Sequence, residues 1–188
     1  MLGMKIYIIG FEGVGRETLE SIRIGVEEVI GRGACKVQNE TLRLPVEAYN
    51  SLRRQYLSEP LLEEIYKCAL KIRSESGIKC IVLGVTDVDI YAPGMNFIFG
   101  MAQCPGRAAI ISLFRLRPEF YGESPDPNLF LERAVKEAIH EIGHALGLKH
   151  CKKQSCVMFF SLHIGITDRK SKFFCDDCMR KIRWVSWQ

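Results

Sequence analysis

Residues 140–150 read HEIGHALGLKH within a chain of 188 residues. In a helix, positions i and i+4 share one face, so His140 and His144 are predicted to bind one ion from the same side. Glu141 lies beside His140 and within reach of a water bound to that ion. Gly147 tolerates a left-handed backbone, so we expect the chain to leave the helix there and to return His150 as a third ligand.

Three histidine ligands with an open fourth position predict a hydrolytic zinc site. Zinc held by three neutral imidazoles keeps one position for a water, whose pKa the metal lowers toward about 7. Glu141 is then the general base that takes a proton from the zinc-bound water and passes it to the leaving nitrogen of a peptide bond. The alternative is an ordinary helix with two aligned histidines, which is disfavoured because buried histidines need hydrogen-bond partners.

Two other functions could use the same residues. A zinc hydrolase could act on a non-peptide amide, and a zinc-stabilised binding module could keep the motif with little catalysis. Glu141 argues against the binding module, because binding alone needs no general base. The 139 residues before His140 are predicted to form the domain itself. We therefore expect no removable inhibitory segment, and we expect narrow specificity or short peptide substrates.

Four of the eight cysteines follow His150 within 28 residues, in the pattern Cys151-x4-Cys156-x18-Cys175-x2-Cys178. A CxxC pair that combines with a second close pair is typical of a tetrahedral zinc site with four cysteine ligands. Such a site has no open position, so its zinc is predicted to be structural. Two disulfides or four free thiols are the alternatives. The chain is therefore predicted to bind two zinc ions, one catalytic and one structural.

Taken together, HExxHxxGxxHC, the following Cys156-x-Met158 and the terminal CxxC resemble the archaemetzincins, a zinc metallopeptidase family of the metzincin clan. Residues 86–89 (TDVD) and 96–102 (NFIFGMA) are also similar to that family. The resemblance implies that the catalytic zinc ligands are His140, His144 and His150. It implies Glu141 as the general base and Met158 as the methionine beneath the metal, although Met158 could also be a plain core residue. It implies that the structural zinc ligands are Cys151, Cys156, Cys175 and Cys178.

The resemblance also implies the fold class, α/β (α+β), as a compact metzincin-like domain with a mixed twisted sheet, an antiparallel edge strand and packed helices. Residues 96–101 are expected to form the edge strand that lines the cleft and pairs with an extended peptide substrate. We expect residues 1–188 to form one catalytic domain. Its C-terminal part, residues 151–188, carries the methionine turn and the four-cysteine zinc site.

Hydrophobic periodicity independently predicts a sheet covered by helices. The predicted strands cover residues 5–11, 34–44, 79–85 and 108–115, and the predicted helices before the histidine motif cover residues 16–30 and 59–74. The active-site helix is expected over about 127–146. Asp126 is its cap, Pro127 is its first residue, and Gly147 stops it.

Composition sets limits on the function. The chain is 47% apolar and 26% charged with a net charge of +4, values typical of a globular protein that exclude disorder and coiled coil. Its apolar runs are shorter than the roughly 18 residues of a membrane span, and its N-terminus predicts a first strand rather than a signal peptide. We therefore expect a cytoplasmic monomer without a membrane partner.

The C-terminal part is basic, with nine basic and three acidic side chains in residues 149–188. Nucleic acid as a partner is nevertheless disfavoured, because these charges also offset the negative charge of a zinc tetrathiolate. Trp184 and Trp187 are expected to pack at the C-terminus rather than to stack on bases. His163 is expected to be an ordinary histidine, and Asp87 and Asp89 are expected in a solvated loop turn.

Overall fold

The computed structural model describes the backbone of residues 4–185 and the side chains of residues 5–182. The expectation for Trp184 and Trp187 concerns side chains outside these residues. The strands are β1 (Met4–Phe11), β2 (Cys35–Leu42), β3 (Tyr49–Asn50), β4 (Gln55–Leu57), β5 (Lys79–Thr86), β6 (Ile90–Tyr91), β7 (Gly100–Ala102) and β8 (Ala108–Ser112). The helices are α1 (Arg16–Ile30), α2 (Ser58–Ser76), α3 (Pro127–Ala145), α4 (Ile164–Arg169) and α5 (Asp176–Val185). Short 3-10 helices cover Val46–Ala48, Phe114–Leu116 and Pro118–Tyr121.

The main sheet is mixed, with five strands in the order β2-β1-β5-β8-β7. Strands β2, β1, β5 and β8 run parallel to one another, and β7 pairs antiparallel with β8 at the edge. A second sheet joins β3, β4 and β6. The predicted α/β class with a mixed sheet and an antiparallel edge strand is confirmed.

Two apolar cores cover the main sheet, one on each face. Successive residues of the central strand β5 alternate between them, as the two-residue period of a strand requires. Ile81, Leu83 and Val85 pack with α1 and α3, whereas Cys80 and Val82 pack with α2. These five side chains are almost fully buried. The helix that carries the histidine motif therefore packs beside α1 on one face of the sheet.

The edge strand is shorter than predicted. Only β7 pairs with β8, so the prediction of a strand over residues 96–101 is wrong for the first four of them. The carbonyl of Asn96 accepts hydrogen bonds from Arg53 (2.9 Å) and from Gln55 (3.0 Å) instead of from a neighbouring strand. These partners lie more than 40 residues away in the chain, which is why local sequence patterns did not reveal them.

The prediction of a solvated loop turn at Asp87 and Asp89 is wrong for Asp89, which is buried, whereas Asp87 is partly exposed in the loop after β5. Asp89 is 9% exposed and accepts two hydrogen bonds of 2.7 Å from the Arg115 guanidinium. Asp87 pairs in the same way with Arg117. A buried carboxylate is costly without such a partner, and arginine supplies two parallel donors. The two pairs tie the end of β5 to the chain that follows β8.

Helix α3 begins and ends as predicted. The Asp126 side chain accepts hydrogen bonds of 3.0 Å from the backbone N–H groups of Asn128 and Leu129, and Pro127 is the first helical residue. The helix ends at Ala145, and Gly147 has a φ of +92°. Within residues 4–185, every helix is too short or too polar to cross a membrane.

The C-terminal part contains two short helices, α4 and α5, that hydrophobic periodicity did not indicate. The buried residues around α4 are polar, among them Thr167 and the following Lys170. A buried polar face produces no apolar stripe, so it is invisible to a search for hydrophobic spacing.

Candidate active site and metal centres

The three motif histidines meet at one point. His140 and His144 lie one turn apart on α3, and the turn at Gly147 brings His150 back beside them. Their ring centroids are 4.7 to 5.4 Å apart. The Nε2 atoms of His140 and His144 are 3.1 Å apart, and one ring nitrogen of each histidine lies within 4.8 Å of the other two. The predicted trio is therefore assembled as the sequence indicated.

Backbone carbonyls set the orientation and the tautomer of two of these rings. Nδ1 of His140 donates to the carbonyl of Val157, and Nδ1 of His144 donates to the carbonyl of Leu148, both at 2.7 Å. A carbonyl oxygen only accepts, so each Nδ1 carries the proton and each Nε2 keeps a free lone pair. Metal-binding histidines are commonly held in this way.

The surroundings keep all three imidazoles neutral. Burial lowers the pKa of His140 to about 3. Burial is also the main cause that lowers the pKa of His144 and of His150. Neutral imidazole is the form that binds a metal ion.

This arrangement fits a zinc ion. Ligand nitrogens about 2.0–2.1 Å from a tetrahedral zinc lie about 3.3 Å from one another. The observed 3.1 Å between the two Nε2 atoms is close to that spacing. Three neutral nitrogen donors on one side of a cleft also leave space for a further ligand, as hydrolytic sites require.

Glu141 lies in the same place with its carboxyl group buried. The side chain is 5% exposed, and burial followed by the nearby Glu137 raises its pKa well above the usual range. Gly100 in β7 lies directly opposite. A methyl group added there would come within 2.7 Å of the Glu141 carboxylate and of the Ile110 carbonyl. The glycine therefore allows the carboxyl group and the edge strand to lie in contact.

A cleft of about 810 Å³ opens above these residues, and we name it the histidine cleft. Its floor includes the three histidines, Glu137 and Glu141. One side is formed by residues 94–102, which include β7, and the other by Phe160, Ser161 and Leu162. Phe160 packs against His150 with a ring-centroid distance of 4.7 Å. Neither Tyr91, Tyr121 nor His163 lines the cleft within the described residues.

Met158 packs against the helix that carries the first two motif histidines. Its side chain is fully buried and contacts α3 at Gly143, where an added methyl group would come 2.4 Å from the methionine sulfur. The neighbouring Val157 holds His140, and the Met158 carbonyl accepts from the N–H of Cys151 (2.9 Å). We call residues 157–160 the methionine turn. The methionine turn therefore contacts both α3 and the segment that brings His150 back to the other histidines.

The four clustered cysteines also converge. The sulfur atoms of Cys151 and Cys175 are 3.8 Å apart, as are those of Cys156 and Cys178, and all four sulfurs lie within 4.8 Å of one another. Sulfurs about 2.3 Å from a tetrahedral zinc are about 3.8 Å apart, whereas a disulfide joins them at about 2.05 Å. The geometry therefore fits a metal site with four cysteine ligands and contradicts the alternative of two disulfides.

Backbone N–H groups donate to the sulfurs of this cluster. The N–H of Cys175 donates to Cys156 at 3.3 Å, and that of Lys153 donates to Cys151 at 3.4 Å. Burial by itself raises the pKa of Cys175, but hydrogen bonds from the Cys178 backbone and the neighbouring thiols outweigh it and lower the pKa to about 7. Such hydrogen bonds favour thiolate, the form that binds zinc, whereas burial raises the pKa of the Cys156 and Cys178 thiols.

Sequence reasoning missed one pair of residues at this site. Glu137 lies one turn before Glu141 and lines the histidine cleft, and Lys170 pairs with it at 3.0 Å. Both side chains are buried, with exposed fractions of 4% and 0%. A charged residue one turn before the motif was the available signal, but its partner is 33 positions away in the chain.

Comparison with known proteins agrees with this geometry. Residues 9–184 match the model of peptidase family M54. The chain is 43% identical over 177 residues to the archaemetzincin of Methanopyrus kandleri, covering 93% of each chain. The crystal structure of the Methanopyrus kandleri archaemetzincin superimposes with a TM-score of 0.79 at 39% identity over 98% of this chain and 96% of that one.

A second solved structure, described as a zinc-dependent peptidase from Methanocorpusculum labreanum, has a TM-score of 0.79 at 27% identity. That match covers 94% of this chain and 99% of the other. The matches confirm the resemblance to the archaemetzincins and the prediction of a metallopeptidase. In its sequence and in its fold, the chain belongs to peptidase family M54.

Proposed function

We propose that the protein hydrolyses peptide bonds with a zinc ion bound by His140, His144 and His150 and with Glu141 as general base. One observation carries this proposal. A single cleft combines three neutral imidazoles, a buried carboxyl group and the edge strand of a sheet. A zinc ion at the histidines would act as a Lewis acid toward a peptide carbonyl and make a water nucleophilic at neutral pH.

Glu141 would transfer the proton of the attacking water. A general base needs a pKa above that of an ordinary carboxyl group at neutral pH, and burial raises the pKa of this one. The carboxylate would accept a proton from the attacking water and donate it to the leaving nitrogen. Contact with β7 at Gly100 would keep the carboxyl group beside the bound peptide.

The edge strand would orient the substrate. Strand β7 pairs with β8 on one side only and borders the cleft on the other. An extended peptide could add to it by main-chain hydrogen bonds and lie across the histidines. The cleft sides are mostly apolar, with Met95, Phe97, Phe160 and Leu162 among the lining residues. We therefore expect short peptides with apolar side chains near the cut, and narrow specificity.

The remaining assignments are part of the same proposal. A second zinc ion at Cys151, Cys156, Cys175 and Cys178 would be structural, because four protein ligands leave no open position. Met158 would support the histidines without binding the ion. Residues 1–188 would act as one catalytic domain, with the methionine turn and the cysteine site in residues 151–188.

The test is digestion of an unbiased peptide library by protein of verified zinc content, read by mass spectrometry. Glu141→Gln is the matched control, since it keeps the shape of the side chain and removes the base. Cleavage by the parent protein that falls by a factor of about 10²–10⁴ in the variant would support the proposal. Cleavage that survives in the variant at full rate would exclude Glu141 as the base.

The two alternatives are tested beside it. Hydrolysis of small acylated amines with every library peptide left intact would favour a zinc hydrolase of non-peptide amides. No hydrolysis of either class by zinc-loaded protein would favour the binding module, and a salt-dependent gel shift would then test nucleic acid. Cell fractionation and light scattering test the predicted cytoplasmic location and monomeric state.

A further inference from the structure

Helix α3 carries a buried polar face just before the histidine motif. Arg133, Lys136 and Glu137 are only 2–3% exposed. Their spacing of three and four residues places them on one side of the helix. That side meets α4 and the residue after it, so the cluster joins the zinc-binding helix to the chain that follows the methionine turn.

Two of the three side chains share Asp168 as a partner, and the third has partners of its own. Arg133 donates two hydrogen bonds to the Asp168 carboxylate (2.7 and 2.8 Å), and Lys136 donates to the Asp168 carbonyl (2.9 Å). Glu137 accepts a hydrogen bond of 3.0 Å from the Thr167 hydroxyl and pairs with Lys170. Of these three partnerships, that of Glu137 is the one that borders the histidine cleft.

Lys170 also connects Glu137 to the methionine turn. Its ammonium group lies 3.5 Å from the Phe159 carbonyl, the long end of a hydrogen bond. Phe159 lies between Met158, which packs beneath α3, and Phe160, which packs on His150. A continuous series of contacts therefore runs from the carboxylate on α3 through Lys170 to the third histidine.

A fully buried ion pair adds little to stability, because the loss of hydration offsets the attraction of the charges. An apolar pair of similar volume would fill the space equally well. The ion pair instead fixes the distance between α3 and the methionine turn. Its ammonium group contacts a carboxylate on the helix and a carbonyl in the turn at the same time. It also balances the charge of Glu137, which lies one turn from Glu141 on the floor of the cleft.

We propose that Glu137 and Lys170 are positioning residues of the active site, which hold the methionine turn against α3 and thereby set the place of Phe160 and His150. This inference rests on the proposed function for its catalytic consequence, but not for its effect on metal binding. It concerns positioning only, because neither side chain has to touch the substrate or the metal ion.

The test compares Lys170→Met with Lys136→Met. Lys136 is a buried lysine of the same face that contacts Glu132 and Asp168 but not the methionine turn, so it is the matched control. The first readout is the zinc affinity of the histidine cluster, from competition with a chromophoric chelator, together with the visible spectrum of the Co²⁺-substituted site. The second is kcat and KM on a cleaved peptide.

Lys170→Met is expected to weaken zinc binding at the histidines by about 10–100-fold, the range known for residues that orient metal ligands. It is also expected to lower kcat by a larger factor than it changes KM, and to alter the Co²⁺ spectrum. Lys136→Met should leave zinc affinity, the Co²⁺ spectrum and kcat unchanged, even if its melting temperature falls. Equal zinc affinity and equal Co²⁺ spectra in the two variants would overturn the proposal.

Lys170→Met leaves the Glu137 charge buried without a partner, which could prevent folding. Two further variants test the proposal in that case. Lys170→Arg keeps the pair and should retain most of the zinc affinity. The double variant Glu137→Gln, Lys170→Met removes both charges and should fold but still bind zinc weakly. Parental zinc affinity in the double variant would overturn the proposal. Because these readouts need no peptide cleavage, a failure of the proposed function would be seen separately, as an intact peptide library.

Discussion

The histidine cluster and the cysteine cluster are joined by the consecutive residues His150 and Cys151, yet they are built in opposite ways. At the histidines, carbonyl groups hold two of the rings from behind, so that the free nitrogens face a cleft of about 810 Å³. At the cysteines, the sulfur atoms face one another and receive hydrogen bonds from backbone N–H groups. The histidine cluster faces open space in the cleft, whereas the sulfur atoms of the cysteine cluster face one another.

One short turn contacts both the histidine cluster and the cysteine cluster. The methionine turn holds His140 through Val157, contacts α3 through Met158 and holds the Cys151 N–H through a carbonyl. The closed cluster therefore supports the loop that brings His150 into the open one.

Cys156→Ser should have the largest effect, and the effect should be on folding. Cys156 is buried beside the methionine turn, and loss of a structural metal belongs to the few changes that cost more than about 4 kcal/mol. We expect the midpoint of thermal unfolding to fall by about 8–16 °C, measured by circular dichroism. Cys104→Ser, at an exposed cysteine outside the cluster, should leave it unchanged. A normal midpoint in Cys156→Ser would contradict a structural role for the cluster.

A chelator should distinguish the two clusters next. The histidines face a cleft, whereas two of the four cysteines in the other cluster are buried. Brief treatment with a bidentate chelator should remove one zinc ion per chain and reduce peptide cleavage about 10²-fold or more, with unchanged circular dichroism. Zinc content is measured by atomic absorption. Release of both ions at one rate would contradict the difference between the clusters.

Gly100→Ala should affect the open site at the edge strand. The added methyl group would lie 2.7 Å from the Glu141 carboxylate and from the Ile110 carbonyl, so the strand or the carboxyl group has to move. We expect a cost of about 1–3 kcal/mol in unfolding free energy and about a tenfold loss in kcat/KM, with both zinc ions retained. Gly15→Ala is the control, because nothing lies within 4 Å of its added methyl group. Equal kcat/KM values in the two variants would show that the close approach at Gly100 does not matter for catalysis.

The most gradual effect should appear with pH. Burial lowers the pKa of His140 to about 3, from about 6.5 in the unfolded chain. Between these values the unfolded chain binds a proton that the folded chain excludes, so stability falls as the pH drops. His140 alone can contribute up to about 1.4 kcal/mol per pH unit.

Urea unfolding between pH 5 and pH 7 measures this slope in protein whose histidine site has been emptied by the chelator. His140→Gln should reduce the slope, and His163→Gln, at an exposed histidine, should not. The same slope in all three proteins would exclude the buried His140 as its source.

Much of the site could be predicted because its signals are local. The i, i+4 spacing, the cap at Asp126 and the stop near Gly147 all act within one helix, and the histidine and cysteine ligands fall within residues 140–178. Strands β1, β5 and β8 could be predicted as well, since each is a short apolar run. The extent of the edge strand could not, because the start of the predicted strand is bonded to Arg53 and Gln55 from a distant part of the chain.

The amino-acid sequence by itself determined the family, the two clusters of residues that could hold metal ions and the helix that presents two of the histidines, because those features depend on residue type and on short, regular spacing. Only the tertiary structure decided which carbonyls orient the histidines, that Gly100 lies against Glu141, and that Lys170 pairs with Glu137. These contacts join segments up to 41 residues apart. They exist because folding buries polar groups, and each buried polar group must find a partner wherever the fold supplies one.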